Sequence, residues 1–141
     1  MADQRTLIQM LGRVPLFQGL SKKQLTSVLR TAGEIDHPAG KEVVREGAAG
    51  VGFHLILSGK ATVTQGRRTL SRLGPGDSFG DIAIIDGGPR SATVRADEPL
   101  RTLSLTAWHF KAVLVEQPTI AYKIMLELCR RLREAEKRPP I

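Results

Sequence analysis

The chain holds a single cysteine, Cys129, among its 141 residues. No disulfide can form within it, which suits a reducing compartment. Its helical neighbours Leu128 and Leu132 predict a buried, inert thiol. No apolar run approaches the roughly 20 residues needed to cross a bilayer. The opening Met1-Ala2-Asp3-Gln4-Arg5 lacks the apolar core of a signal peptide. A cytoplasmic protein without a membrane span is therefore expected. The three histidines, His37, His54 and His109, lack metal-ligand spacing and have no cysteine cluster beside them, so no metal and no cofactor is expected. Aromatics make up only 4% of the chain. Phe17, Phe53, Phe79 and Phe110 read as core, and Trp108 and His109 as packing residues on a helix.

Positive charge is what the chain has in excess, with 21 Lys and Arg against 14 Asp and Glu, a net charge of +7. Because these residues are scattered, they read first as a basic soluble surface, and second as a bias toward anionic partners.

The order along the chain is helices, strands, helices. Leu7, Ile8, Met10 and Leu11 predict a short first helix, and Ser21 with Gln24 forms a capping-box pattern ahead of a helix over 21–32, which Gly33 would end. From Glu34 the pattern changes to short apolar or alternating runs at 42–45, 53–57, 61–64, 69–73, 91–96 and 101–105. Gly47, Ser58-Gly59, Gln65-Gly66 and Gly74-Pro75-Gly76 punctuate them. Closely spaced short strands with turn signals predict a roll, barrel or sandwich. Thr106 then caps a helix through Leu114, and Pro118 opens a second one. Ile120, Ile124, Leu128 and Leu132, widened by Ala121, Met125 and Cys129, form a stripe needing a cover: the roll, a second subunit, or both. Pro139-Pro140 ends this helix.

The segment 79–94 carries the chemistry. Gly80 allows close backbone approach, and Asp81 to Ile85 is short enough for one or two helical turns, whose first N–H groups are free to bind an anion. Asp81 is placed to cap that turn. Arg90 is the only cation between Arg72 and Arg95 and offers a rigid fork of donors suited to phosphate. Free amides, an arginine and a carboxylate suit a ligand with both a phosphate and a hydroxyl, such as a nucleotide.

The stretch FGDIAI–IDGG–PRSATV, the spacing of Gly40, Gly47 and Gly59, and Leu73-Gly74-Pro75-Gly76-Asp77-Ser78 leading into it resemble the cyclic-nucleotide-binding domains. These are of the catabolite activator protein and protein kinase A regulatory subunit type. The resemblance runs over about 14–135, with VPLFQGLSKKQL similar to the family's N-terminal helical segment. It implies an eight-stranded β-roll (a double-stranded β-helix or jelly roll), mainly β with flanking helices. The divisions are 1–33 helical, 34–105 roll with the cassette at 79–94, and 106–141 C-terminal helices acting as a lid, all one domain.

The resemblance implies roles at matching positions. Arg90 pairs with the cyclic phosphate, and the backbone around Gly80, Ile82 and Ala83 binds it. Ser91 adds a hydroxyl contact that leans toward cAMP over cGMP. The glutamate that accepts from the ribose 2′-hydroxyl falls on Asp81, one methylene shorter. Losing such a charged hydrogen bond costs on the order of 1.5–3 kcal/mol, so weakened binding is expected before abolished binding. The residue covering the purine falls on Arg131, with Arg130 and Arg133 as neighbours. Each position has a plainer reading: a helix cap for Asp81, a surface arginine for Arg90, a satisfied strand hydroxyl for Ser91, a solvated basic face for Arg131.

Gly76-Asp77-Ser78-Phe79-Gly80 fits the nucleophile elbow of hydrolases, but that elbow needs a parallel sheet with crossover helices, for which 34–105 has no room. Gly50-Val51-Gly52 lacks the helix a dinucleotide site needs and reads as a turn. The expected function is a non-enzymatic cyclic-nucleotide receptor signalling through its last helix. The alternative is a protein-interaction module with the same fold that has lost its ligand. The last helix is a candidate homodimer surface, the effector is not named by the sequence, and no DNA-reading helix-turn-helix is expected within these residues, which form either a stand-alone receptor or a domain of a longer protein.

Overall fold

A computed structural model describes residues 3–49 and 52–136. Gly50 and Val51 of the suggested turn, and Pro139-Pro140, lie outside the described residues.

The chain opens with helix α1 (Gln4–Gly12), capped by the Asp3 carboxylate on the Thr6 amide, and a 3-10 turn at Pro15–Phe17. Helix α2 (Lys22–Leu29) starts at the predicted capping box. Ser21 Oγ accepts from Gln24 N at 3.2 Å, and Gln24 Oε1 accepts from Ser21 N at 2.9 Å. The helix stops sooner than expected, at Arg30, and Gly33 opens a strand.

Eight strands follow: β1 (Gly33–His37), β2 (Glu42–Val44), β3 (Gly52–Ser58), β4 (Ala61–Gln65), β5 (Arg68–Leu73), β6 (Ser78–Phe79), β7 (Thr93–Ala96) and β8 (Leu100–Thr106). They form two four-stranded sheets, ordered β1-β8-β3-β6 and β2-β7-β4-β5, with antiparallel pairing throughout. Between β6 and β7 lies the single-turn helix α3 (Ala83–Asp86), and after β8 come α4 (Ala107–Glu116) and α5 (Pro118–Ala135).

Period-two alternation in β3 and β8 divides the core. Phe53, Leu55, Leu103 and Leu105 face the helices and pack with Leu11, Phe17, Phe110 and Ile120. Phe17 meets Phe53 edge-on, with centroids 5.5 Å apart. Ile56 faces the other way, into the roll, with Ala61, Val94, Ala96 and Leu100. Each fully buried large side chain contributes roughly 1.5–3 kcal/mol, so the two clusters fix the sheets and helices around one interior. A Cβ on Gly59, at φ +91°, would come 2.9 Å from Leu100 Cα, which explains the glycine at this bend.

Three expectations about the helices need correction. Thr106 caps α4 as read, but Trp108 is 82% exposed: it lies two residues before the buried Phe110, on the opposite side of the helix. Cys129 is exposed, about half a turn of azimuth from the buried Ile120 and Ile124. The long stripe splits accordingly, with Ile120 and Ile124 buried, Leu128 half-buried, and Met125 and Leu132 exposed. No helix among the described residues is long and apolar enough to cross a membrane.

Candidate functional site

The segment after β6 turns on Gly80, at φ +88°. A Cβ here would sit 2.5 Å from the Gly52 carbonyl oxygen and collide with the Arg90 guanidinium, so only glycine lets β6, β3 and Arg90 meet. Helix α3 starts at Ala83 with Ile82 as its N-cap and no side-chain cap; Asp81 is not the cap. The amides of Ile82 and Ala83 form no hydrogen bond among the described residues. The turn closes on Gly87, and Asp86 Oδ1 accepts from the Gly88 amide at 2.8 Å.

Arg90 is fixed from both sides by backbone. Its N–H donates to Ala48 O and its carbonyl accepts from Gly47 N, each at 2.9 Å. The side chain runs inward and is 8% exposed. Nη2 donates to the Gly52 carbonyl, while Nε is buried without a partner. No carboxylate pairs with it among the described residues. Burial pulls its pKa below the usual guanidinium value, yet the group keeps its proton. A buried cation without a counter-charge is costly unless something supplies one.

Arg90 lines a cavity of about 540 Å³, within the roughly 300–1,000 Å³ of small-molecule sites. Val44, Val63, Leu73, Phe79 and Val94 give it an apolar wall; among the described residues Arg90 is the only cation lining it, and Asp81, Asp86, Ser91 and the 80–83 backbone lie along its rim. The cavity therefore suits a molecule with a flat apolar body and one anionic group. Gly80, Asp81, Ile82, Ala83, Arg90 and Ser91 come together here. Ser91 is exposed, and its carbonyl accepts from Gln65 Nε2 at 3.0 Å.

Arg131 does not line the cavity. Its Nη1 donates to Asp81 Oδ2 at 2.7 Å and its Nε to Glu127 Oε2 at 3.1 Å. Burial works against its charge, but the bonds to Asp81 and Glu127 prevail and raise its pKa. Glu127 was not anticipated as part of this arrangement, although Glu and Arg at i, i+4 are a readable helix pair.

Histidines far apart in sequence also meet in the roll. His37 Nε2 bonds Thr102 Oγ1 at 3.0 Å, Thr102 Oγ1 bonds Ser104 Oγ at 2.9 Å, and Ser104 Oγ bonds His54 Nδ1 at 2.9 Å. His54 stacks on Phe79, with centroids 5.0 Å apart. Burial, then the Arg90 and His37 charges, push the His54 pKa down to about 4. No cluster of three or more metal-ligating side chains occurs among the described residues.

A family model described as "Cyclic nucleotide-binding domain" matches residues 34–117. The chain belongs to the cyclic nucleotide-binding domain family. It is 34% identical over 127 residues to the cyclic AMP receptor protein of Thermus thermophilus, covering 86% of this chain and 59% of that protein. A cyclic nucleotide-gated potassium channel of Rhizobium etli is 37% identical over 116 residues, 82% of this chain and 32% of the channel. The N-terminal domain of a Streptomyces coelicolor transcriptional regulator superposes with a TM-score of 0.82 at 26% identity, covering 89% of this chain and 91% of that one. The chain thus spans under two thirds of both full-length relatives, and it carries the eight-stranded roll of its family.

Proposed function

We propose that this chain is a non-enzymatic cytoplasmic receptor for a cyclic nucleotide, cAMP in preference to cGMP, and that it signals through α5. The observation that carries the reading is Arg90: a nearly fully buried guanidinium with no counter-charge among the described residues, at the wall of a largely apolar cavity. A cyclic phosphate supplies one negative charge and equatorial oxygens for the guanidinium fork and for the free Ile82 and Ala83 amides. The apolar wall takes the purine, Ser91 adds a hydroxyl, and Asp81 accepts from the ribose. Arg131 enters the site through its pair with Asp81. The names of the Thermus relative and the Rhizobium channel fit this assignment, and Ser91 together with the receptor relative favours cAMP.

Calorimetric titration with cAMP and cGMP on the wild type and Arg90→Ala, with thermal melts alongside, tests this. Ligand at a hundred times its dissociation constant adds about 2.7 kcal/mol of stability, a shift of several degrees. Saturable heat that vanishes in Arg90→Ala is the expected result. Absence of both heat and melt shift at millimolar nucleotide, with the protein folded, leaves the ligand-free interaction module as the reading.

A further inference from the structure

More than half of the chain's net charge sits in its first two helices. Residues 3–32 hold five cations, Arg5, Arg13, Lys22, Lys23 and Arg30, against the single acid Asp3, whose carboxylate is committed to capping α1. All five cations are exposed, and none forms an ion pair with an acid among the described residues. Lys22 and Lys23 occupy the first turn of α2, the end at which the helix dipole disfavours a cation, and no acid accompanies them there. The fold gains nothing from a cation at that place.

Three of these cations surround a groove. Arg5, Ile8, Gln9 and Gly12 follow the i, i+3, i+4, i+7 spacing of one face of α1. Lys22 and Leu25 face them from α2, and Arg13 stands at the end of α1. The space between the helices is about 570 Å³. Ile8 and Leu25, 8% and 7% exposed, make its apolar floor. Gly12 leaves that floor open: a Cβ there would lie 3.1 Å from Leu25 Cδ1. No acid lines the groove among the described residues, and it shares no residue with the cavity beside Arg90.

We propose that the groove between α1 and α2 is a docking site for an acidic segment of a partner protein, whose carboxylates pair with Arg5, Arg13 and Lys22 around an apolar side chain set on Ile8 and Leu25. Other occupants fit the surface less well. A second copy of this chain also carries a net charge of +7 and is repelled. A bilayer needs apolar side chains to insert, and none of the exposed large hydrophobic residues lies on α1 or α2. A single-stranded nucleic acid needs aromatic faces to stack on, and Phe17, the only aromatic in 3–32, is fully buried. An acidic segment with an apolar residue among its carboxylates matches both the charge of the rim and the character of the floor, and the charge speeds its encounter.

The test is fluorescence anisotropy with a short labelled peptide, rich in glutamate and carrying one central leucine. Saturable micromolar binding that weakens as salt rises is expected. The triple variant Arg5→Glu, Arg13→Glu, Lys22→Glu should bind about thirtyfold more weakly, the scale of three reversed surface charges. The same reversal at Arg67→Glu, Arg68→Glu and Arg72→Glu, on and beside β5 in the sheet remote from these helices, should weaken binding by less than about threefold, through net charge alone. Serine in place of the peptide's leucine should weaken wild-type binding by about tenfold. Arg5→Gln with Arg13→Gln and Lys22→Gln should give an intermediate loss, and both groove variants should melt no lower than the wild type, since all three side chains are exposed. Equal losses in the two reversed variants would assign the binding to net charge and not to the groove. An unaffected serine peptide would remove the floor from it. Binding to phosphatidylglycerol vesicles or to a single-stranded oligonucleotide that falls further than peptide binding in the groove variant would give the groove to a membrane or a nucleic acid. Each of these results overturns the proposal, as does a peptide that does not bind at millimolar concentration.

Discussion

A guanidinium that is buried without a carboxylate is a poor residue for stability and a good one for binding an anion. Arg90 gives up most of its hydration and receives one backbone carbonyl in return. Arg90→Met keeps the volume and removes the charge. In the absence of nucleotide it should raise stability by about 1–2 kcal/mol, a few degrees in Tm, while nucleotide heat disappears. A lower Tm would show that the bond to Gly52 outweighs the cost of the buried charge. His54 makes the opposite contribution, staying neutral in the fold. Its folded pKa is about 4 against an ordinary value of 6.5, so below 6.5 the unfolded chain binds a proton that the native state refuses. Stability is therefore full above about pH 6.5 and falls as pH drops toward 4, by on the order of 3 kcal/mol in total. His54→Asn keeps a partner for Ser104 and should flatten that loss in urea unfolding measured across the window. His37, whose pKa is also lowered by burial, leaves a residual slope. An unchanged slope in His54→Asn would place the titration elsewhere.

At the scale of elements, what could be read from the sequence was what depends on near neighbours. Ser21 and Gln24 sit three residues apart and cap α2; Thr106 and Pro118 open α4 and α5. Gly80 marks a conformation that side chains avoid, and the cassette around it kept its order of glycine, carboxylate, turn and arginine. The strands with strong alternation were visible too. By contrast β1, reading Gly-Glu-Ile-Asp-His, and the two-residue β6 have no apolar pattern, because they are held by pairing to β8 and β3. The hydroxyl file between His37 and His54 is equally hidden, since it exists only once β8 lies between β1 and β3. The plainer reading of Asp81, a cap on the following turn, is a local one, and that turn carries no side-chain cap. The carboxylate's actual partner lies 50 residues away, on a helix that must first fold back over the cassette. Trp108 and Cys129 show the same limit: hydrophobic character indicates that a helix has an apolar side, and only packing decides which residues that side includes.

For the whole molecule, the unpartnered surface of α5 is the largest open question, and its pattern answers part of it. Tyr122, Met125, Cys129 and Leu132 are all exposed and alternate at three- and four-residue steps. This is the spacing of a two-helix seam. A parallel two-fold pairing of α5 with a second copy, its axis running along the helices, brings each residue of the seam near its own equivalent, so Cys129 should meet Cys129. Mild oxidation should then give a disulfide-linked dimer in good yield, and sedimentation of the reduced protein should give twice the monomer mass. Because each copy carries a net charge of +7, repulsion opposes the pairing, and moderate salt should strengthen it by screening. Met125→Glu with Leu132→Glu should return the protein to a monomer while leaving its fold intact, since both side chains are exposed in the single chain. A monomer at high micromolar concentration in moderate salt, with no crosslink through Cys129, would rule this seam out and leave α5 to report only through Arg131 and the cassette.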